Sequence, residues 1–126
     1  MMDENVHALR QALEAWSTPS RRPEYFEIYA PDAEIHVHDV GRVAALHALY
    51  DAIWAAFPDA IATIDDLVAE GEKLAYRMTV TATHLGQFQD LAPTDKQISL
   101  SQIGILPFKD GKVAQRWGCD NLAEVL

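Results

Sequence analysis

The sequence predicts an α+β domain in which a curved antiparallel sheet wraps around three helices and encloses a mostly apolar cavity. Three observations point there. Apolar side chains recur at helical spacing in much of the first half of the 126-residue chain, and they alternate with period two from residue 61 onward. The last four alternating stretches are joined by turns and one polar loop without crossover helices, which excludes a doubly wound nucleotide-binding fold. No glycine-rich phosphate loop is present in the sequence either.

Val6, Leu9, Leu13 and Trp16 place one apolar stripe on a helix over residues 5–16, which Ser17, Pro19 and Ser20 stop. Pro23 suits the first turn of a short second helix carrying Tyr25, Phe26, Ile28 and Tyr29, closed by Pro31. Ala33, Ile35 and Val37 then alternate with Glu34, His36 and His38 as a strand that Gly41 breaks. A third helix runs from Val43 to Phe57, with Leu46, Leu49, Tyr50, Ile53 and Trp54 on its apolar side, and Pro58 ends it. Strands follow over residues 61–69 and 73–84, turning at Gly71 and Glu72. The polar loop 86–95 leads to a strand over 97–108, and Asp110 with Gly111 makes a type I′ turn into an antiparallel strand over 112–119. Leu122 to Leu126 form a short terminal helix.

Length and an uninterrupted pattern predict one domain spanning 1–126. A net charge of −9, with the ten cations scattered, opposes binding to nucleic acid or to an anionic membrane surface. Cys119, the only cysteine, allows no intrachain disulfide and favours a reducing compartment. No apolar run reaches the length of a signal peptide or a membrane span, so the expectation is a complete, cytoplasmic chain.

Alternation along residues 73–84 puts Leu74, Tyr76, Met78, Val80, Ala82 and His84 on an inward face. Ala75, Thr79, Thr81 and Thr83, with Ser99, Ser101, Ile103 and Ile105 of the next strand, form a flat outer face suited to a homodimer. Histidine is the residue type that exchanges protons near neutrality, so His84 suits a general acid or base, and it serves equally as the cap of a strand end. His36 and His38, two apart on a strand, share a face. Together they can chelate an ion, line the cavity or sit at a solvated strand end. No third ligand has suitable spacing, so no metal site is expected. Asp120, after Trp117, Gly118 and Cys119, suits proton transfer if it faces the cavity; alternatively, with Asn121, it caps the terminal helix. Trp16, Tyr50, Trp54, Tyr76, Met78 and Trp117 are the expected substrate contacts.

The ordered set Ala55-Ala56-Phe57-Pro58-Asp59, Ile64 to Gly71, Arg77, Thr83 to Phe88, Pro93-Thr94, Asp110 to Val113, and Trp117 with Asp120 resembles the SnoaL-like polyketide cyclases of the nuclear transport factor 2-like superfamily. The resemblance implies a cone-shaped α+β fold with an internal cavity, commonly dimeric through the outer face of the sheet. It also implies catalysis without metal or cofactor, with Asp120 as the acid/base group of an intramolecular aldol cyclisation. The expectation is therefore a cofactor-independent lyase or isomerase, cyclase-like or ketosteroid isomerase-like, acting on a small apolar carbonyl metabolite. Asp120 would shuttle the proton while His84 or His36 polarises an oxygen. The alternative is a non-catalytic module of the same fold that binds a hydrophobic ligand.

Overall fold

The computed structural model describes residues 2–125. Helix α1, Met2–Trp16, is followed by a 3-10 helix, Pro19–Ile28, and strand β1, Tyr29–His36. The short strand β2, Gly41–Arg42, leads into helix α2, Val43–Ala56. Strands β3, Ile61–Glu70, β4, Lys73–Thr83, β5, Gln97–Lys109, and β6, Lys112–Asp120, complete the sheet before the terminal turn of helix, α3, Leu122–Val125. Leu126, the last residue of the expected terminal helix, lies outside the described residues.

The fold is α+β, with six strands in the order β2-β1-β6-β5-β4-β3 forming a curved, unclosed sheet. One expectation needs correction: the sheet is mixed, because β1 runs parallel to β6 while every other pairing is antiparallel. Period-two patterning identifies strands but carries no information on the direction of a sequence-distant neighbour, which is why this pairing was not foreseen. The second helix is of the 3-10 type, with Pro19 at its start and Pro23 inside it. Pro23 removes one backbone donor from the ladder a regular α-helix would need, whereas Pro19 at the first position costs none. Tyr29 and Pro31 belong to β1 rather than to that helix. Pro31 falls where the register between β1 and β6 is broken, a place where a missing N–H costs no ladder hydrogen bond.

The helices cover the inner face of the sheet. Leu46, Phe57, Leu74 and Val113 are fully buried there, each burial contributing roughly 1.5–3 kcal/mol. Arg22 fastens the helical layer to the chain before β3. Its Nε donates to the Trp16 carbonyl at 3.1 Å, its Nη2 donates to the Pro58 carbonyl at 2.8 Å, and its guanidinium lies 5.4 Å from the Trp54 ring. The turn from β5 to β6 has Asp110 at φ 53° and Gly111 at φ 81°, as a type I′ hairpin requires.

Candidate active site

Which side chains of β6 enter the cavity is decided by one extra residue. Phe108 of β5 pairs with Val113 of β6, both inward, while Ile105 pairs with Trp117, both exposed. Two residues separate the first partners and three the second, so β6 carries a bulge between Val113 and Trp117. Without it, strict alternation from Val113 would turn residues 115, 117 and 119 inward. With it, Arg116, Gly118 and Asp120 face the cavity, and Gln102 of β5 pairs directly with Asp120.

Asp120 is held on both carboxylate oxygens. Its Oδ1 accepts the Leu122 N–H at 3.1 Å, capping α3, and its Oδ2 lies 2.7 Å from His38 Nε2 and 3.4 Å from Gln102 Nε2. The Asp120 side chain is only 7% exposed, whereas that of His38 is 40% exposed, so the pair bridges the interior and the solvent. Asn121 faces the opposite way, its Oδ1 accepting the Ser101 N–H at 2.9 Å. Capping and cavity lining therefore coexist in Asp120.

His38 reaches Asp120 because the backbone leaves the strand before it. β1 ends at His36, and His38 and Asp39 adopt left-handed φ values of 51° and 57° ahead of Gly41 at 84°. Alternation is lost, so His36 and His38 do not share a face. His36 is exposed and stacks on Trp117 with ring centroids 3.8 Å apart at 14°. Trp117 is itself 49% exposed and its indole N–H donates to Gln115 Oε1. Neither lines the cavity.

Deeper inside, Arg116 is 3% exposed and, among the described residues, has no carboxylate as a hydrogen-bond partner. Its Nη1 donates to the hydroxyls of Tyr25 at 3.3 Å, Tyr29 at 3.1 Å and Tyr50, and its Nη2 donates to Gln102 Oε1 at 3.0 Å. Burial pushes the phenols of Tyr25, Tyr29 and Tyr76 upward, Tyr29 to about 12, against the opposing pull of the Arg116 charge. These three remain neutral near pH 7. Burial disfavours the Arg116 cation, but the surrounding phenol oxygens outweigh it and hold its pKa well above the ordinary arginine value.

Tyr76 is seated by glycines. Gly104 and Gly118 are cross-strand partners, and a Cβ on Gly104 would fall 2.5 Å from the Tyr76 hydroxyl and collide with the Trp117 carbonyl. In the space left, the Tyr76 hydroxyl donates to Gln102 Oε1 at 3.1 Å. The cavity walls are otherwise apolar, with Leu9, Leu13, Ile98 and Leu100 among the lining residues, and the enclosed space is about 70 Å³. That is below the ~300–1,000 Å³ of ordinary ligand pockets, so a ligand must displace the wall as it enters.

Of the expected contacts, Trp16, Tyr50, Tyr76 and Met78 line the cavity. Trp54 packs behind them on Trp16 and Tyr50, and Trp117 is outside. His84 is 1% exposed but is not part of the lining; it stacks on Phe57, and its Nδ1 lies 3.1 Å from Thr94 Oγ1, pinning the loop that follows β4. The side chain that meets Asp120 is thus His38, in place of the expected His36 or His84. Arg116, Gln102, Tyr25 and Tyr29 escaped sequence reading. A lone arginine in an alternating strand looks like a solvated charge unless the bulge is known.

Residues 6–126 match the sequence profile of the SnoaL-like polyketide cyclases. The chain belongs to this family. Among solved structures it is similar to AclR from Streptomyces galilaeus, for which a hydroxylase role has been suggested, with 29% identity and a TM-score of 0.88 over 97% of this chain and 92% of that one. A protein from Acidithiobacillus ferrooxidans, suggested to be a polyketide cyclase, is 27% identical, with a TM-score of 0.81 over 97% and 91% of the two chains. IdmH from Streptomyces antibioticus, at 23% identity and a TM-score of 0.83 over 96% and 94%, shares the fold. A comparison with curated proteins finds no match.

Proposed function

We propose that the protein is a cofactor-independent cyclase or isomerase that moves a proton on a small, largely apolar carbonyl compound, with Asp120 and His38 as the exchanging pair. The observation that carries the reading is the 2.7 Å contact between His38 Nε2 and the buried Asp120 carboxylate at the edge of an apolar cavity. Family membership and the likeness to proteins suggested to be polyketide cyclases support it. The Asp120 carboxylate takes a proton from the carbon next to a carbonyl, leaving an enolate. His38, open to solvent, passes that proton outward or returns it. In a cyclase the enolate carbon then attacks a second carbonyl of the same molecule, forming a carbon–carbon bond and an alkoxide that recovers the proton. Burial keeps Asp120 from full hydration, and the Leu122 N–H and Gln102 amide fix its orientation before a ligand arrives.

The test uses 2-tetralone, a small apolar ketone with acidic α-hydrogens, and follows their replacement by deuterium by NMR. The wild-type protein should accelerate exchange, and Asp120→Asn should lose on the order of 100-fold to 10,000-fold of that acceleration. Full exchange activity in the Asn variant would overturn the assignment. The second reading, a binding module without chemistry, is favoured by the capping bond that gives Asp120 a purely structural use. It predicts stabilisation by the ketone with no exchange at all.

A further inference from the structure

The hydrogen-bonding groups around Arg116 do not balance. Each tyrosine has one hydroxyl hydrogen to donate. That of Tyr76 goes to Gln102, and Tyr25 and Tyr29 share one between oxygens 2.6 Å apart. The hydroxyl hydrogen of Tyr50, and the remaining one of the Tyr25–Tyr29 pair, have no acceptor among the described residues. Arg116 Nη1 shares its two hydrogens among the three phenol oxygens, and the Tyr50 hydroxyl has neither of the other two phenols as a hydrogen-bond partner. Gln102 Oε1 is filled by Tyr76 and Arg116. The inner end of the cavity therefore has a buried guanidinium, two surplus O–H donors and, among the described residues, no anion to receive them.

The phenol oxygens keep the guanidinium charged but leave it without an anion among the described residues, and a donor cluster lacking acceptors is costly. Both are relieved by one ligand oxygen bearing negative charge. All four residues line the cavity, so such an oxygen reaches them from the same space that reaches Asp120. Gln102 joins the two ends, its Oε1 accepting from Arg116 and its Nε2 lying 3.4 Å from Asp120. The carboxylate end removes a proton, and the guanidinium–phenol end receives an oxygen.

We propose that Arg116, Tyr50 and the Tyr25–Tyr29 pair form an oxyanion-binding subsite, and that the ligand class is an acidic carbonyl compound or phenol bound through its enolate or phenolate oxygen. The catalytic use of this subsite rests on the proton-transfer reading above; anion binding by it does not. An enolate formed at the Asp120 end places its charge on oxygen, and the subsite lowers the energy of that species without accepting the proton itself. It also discriminates. A hydrocarbon or ether of the same shape leaves the donors unanswered, whereas a 1,3-dicarbonyl or an acidic phenol satisfies them.

The probe is 4-nitrophenol, whose yellow phenolate is separated from its colourless phenol by visible absorption. Titrated with protein over a range of pH, the bound probe should ionise at least tenfold more readily than the free one, and 4-nitroanisole should bind more weakly. Tyr50→Phe keeps the ring packing and removes one donor, so it should give back a large part of the tenfold shift. Arg116→Gln should abolish the shift, with its folding checked by circular dichroism; Tyr50→Phe keeps the proposal testable if that variant does not fold. A probe that binds as the neutral phenol or does not bind, or a Tyr50→Phe protein with an undiminished shift, overturns the subsite. Deuterium exchange into 2-tetralone separates the two proposals. A phenolate shift without exchange supports the subsite while removing the acid/base reading, and exchange without a phenolate shift does the reverse.

Discussion

Replacing Gly104 by alanine tests the slot that seats Tyr76. The added Cβ would lie 2.5 Å from the Tyr76 hydroxyl oxygen and 2.7 Å from its Cζ, and it would also overlap the Trp117 carbonyl. Ordinary contacts of this kind are 3.4–4 Å, so close to an ångström of movement is needed. The tyrosine can swing, at the loss of its hydrogen bond to Gln102, worth about 1 kcal/mol. The Trp117 carbonyl is backbone of the adjoining strand and gives little. Overpacking costs typically 1–3 kcal/mol, and the backbone clash puts Gly104→Ala toward the upper end, roughly 2–3 kcal/mol or about 10 °C in Tm. Denaturant unfolding of Gly104→Ala, Tyr76→Phe and the double variant measures this as a cycle. Tyr76→Phe alone should cost about 1 kcal/mol, and Gly104→Ala should cost less in the Phe background, because the hydroxyl that it strikes is gone. A Gly104→Ala loss below about 0.5 kcal/mol, or strictly additive effects, would refute the argument that these glycines exist to admit the Tyr76 hydroxyl.

Alkali should expose Tyr29. Its phenol is raised from the usual 10.0 to about 12, so its contribution is complete below pH 10 and lost as pH rises through 12, amounting to about 3 kcal/mol. Denaturant midpoints of wild type and Tyr29→Phe, measured from neutral pH to pH 12, should converge toward the alkaline end; a constant difference would refute the assignment. On the outer face, Ile103 at 52%, Ile105 at 47% and Trp117 at 49% exposure lie together on paired positions of β5 and β6. We propose that a second copy of the chain covers them. Light scattering should report twice the 14.0 kDa chain mass, falling to a single chain in Ile103→Glu/Ile105→Glu, and a monomeric wild-type protein at micromolar concentration would end this proposal.

Most of the element order was legible because apolar spacing matches the observed state of α1, α2 and β3 to β6, from the Val6-Leu9-Leu13 stripe of α1 to the alternation of β4; the two-residue strand β2 carries no apolar side chain to mark it, and Tyr29 and Pro31 fall in β1 rather than in the second helix. The turn residues agree too, Asp110-Gly111 most plainly. The site was legible only in part, and the failures have two local causes. The β6 bulge falls between Val113 and Trp117, a stretch of β6 without glycine or proline, and the one sign of it is Pro107 on the facing strand, so Arg116 looked like one more surface cation. At the end of β1, strict alternation grouped His38 with His36, yet the left-handed residues His38 and Asp39 turn the first ring toward Asp120 and leave the second on Trp117. An Asp shortly before a glycine at a strand end is a turn signal, and this one was available in the sequence.

The two local irregularities converge on the same residue. The bulge turns Asp120 inward, and the turn after β1 brings His38 to it; regular strands would have supplied neither. Asp120 then does two things at once, capping α3 through Oδ1 and meeting His38 through Oδ2. This decides how its chemistry can be isolated. Alanine at 120 removes the cap, worth about 1 kcal/mol, together with the proton acceptor, so a lost rate in that variant has two explanations. Asparagine keeps an oxygen for the Leu122 N–H and an amide beside His38, and it removes only the capacity to take a proton near pH 7. A rate lost in the Asn variant while the unfolding midpoint stays near that of the wild type therefore belongs to proton transfer, and a rate lost together with the midpoint belongs to the cap.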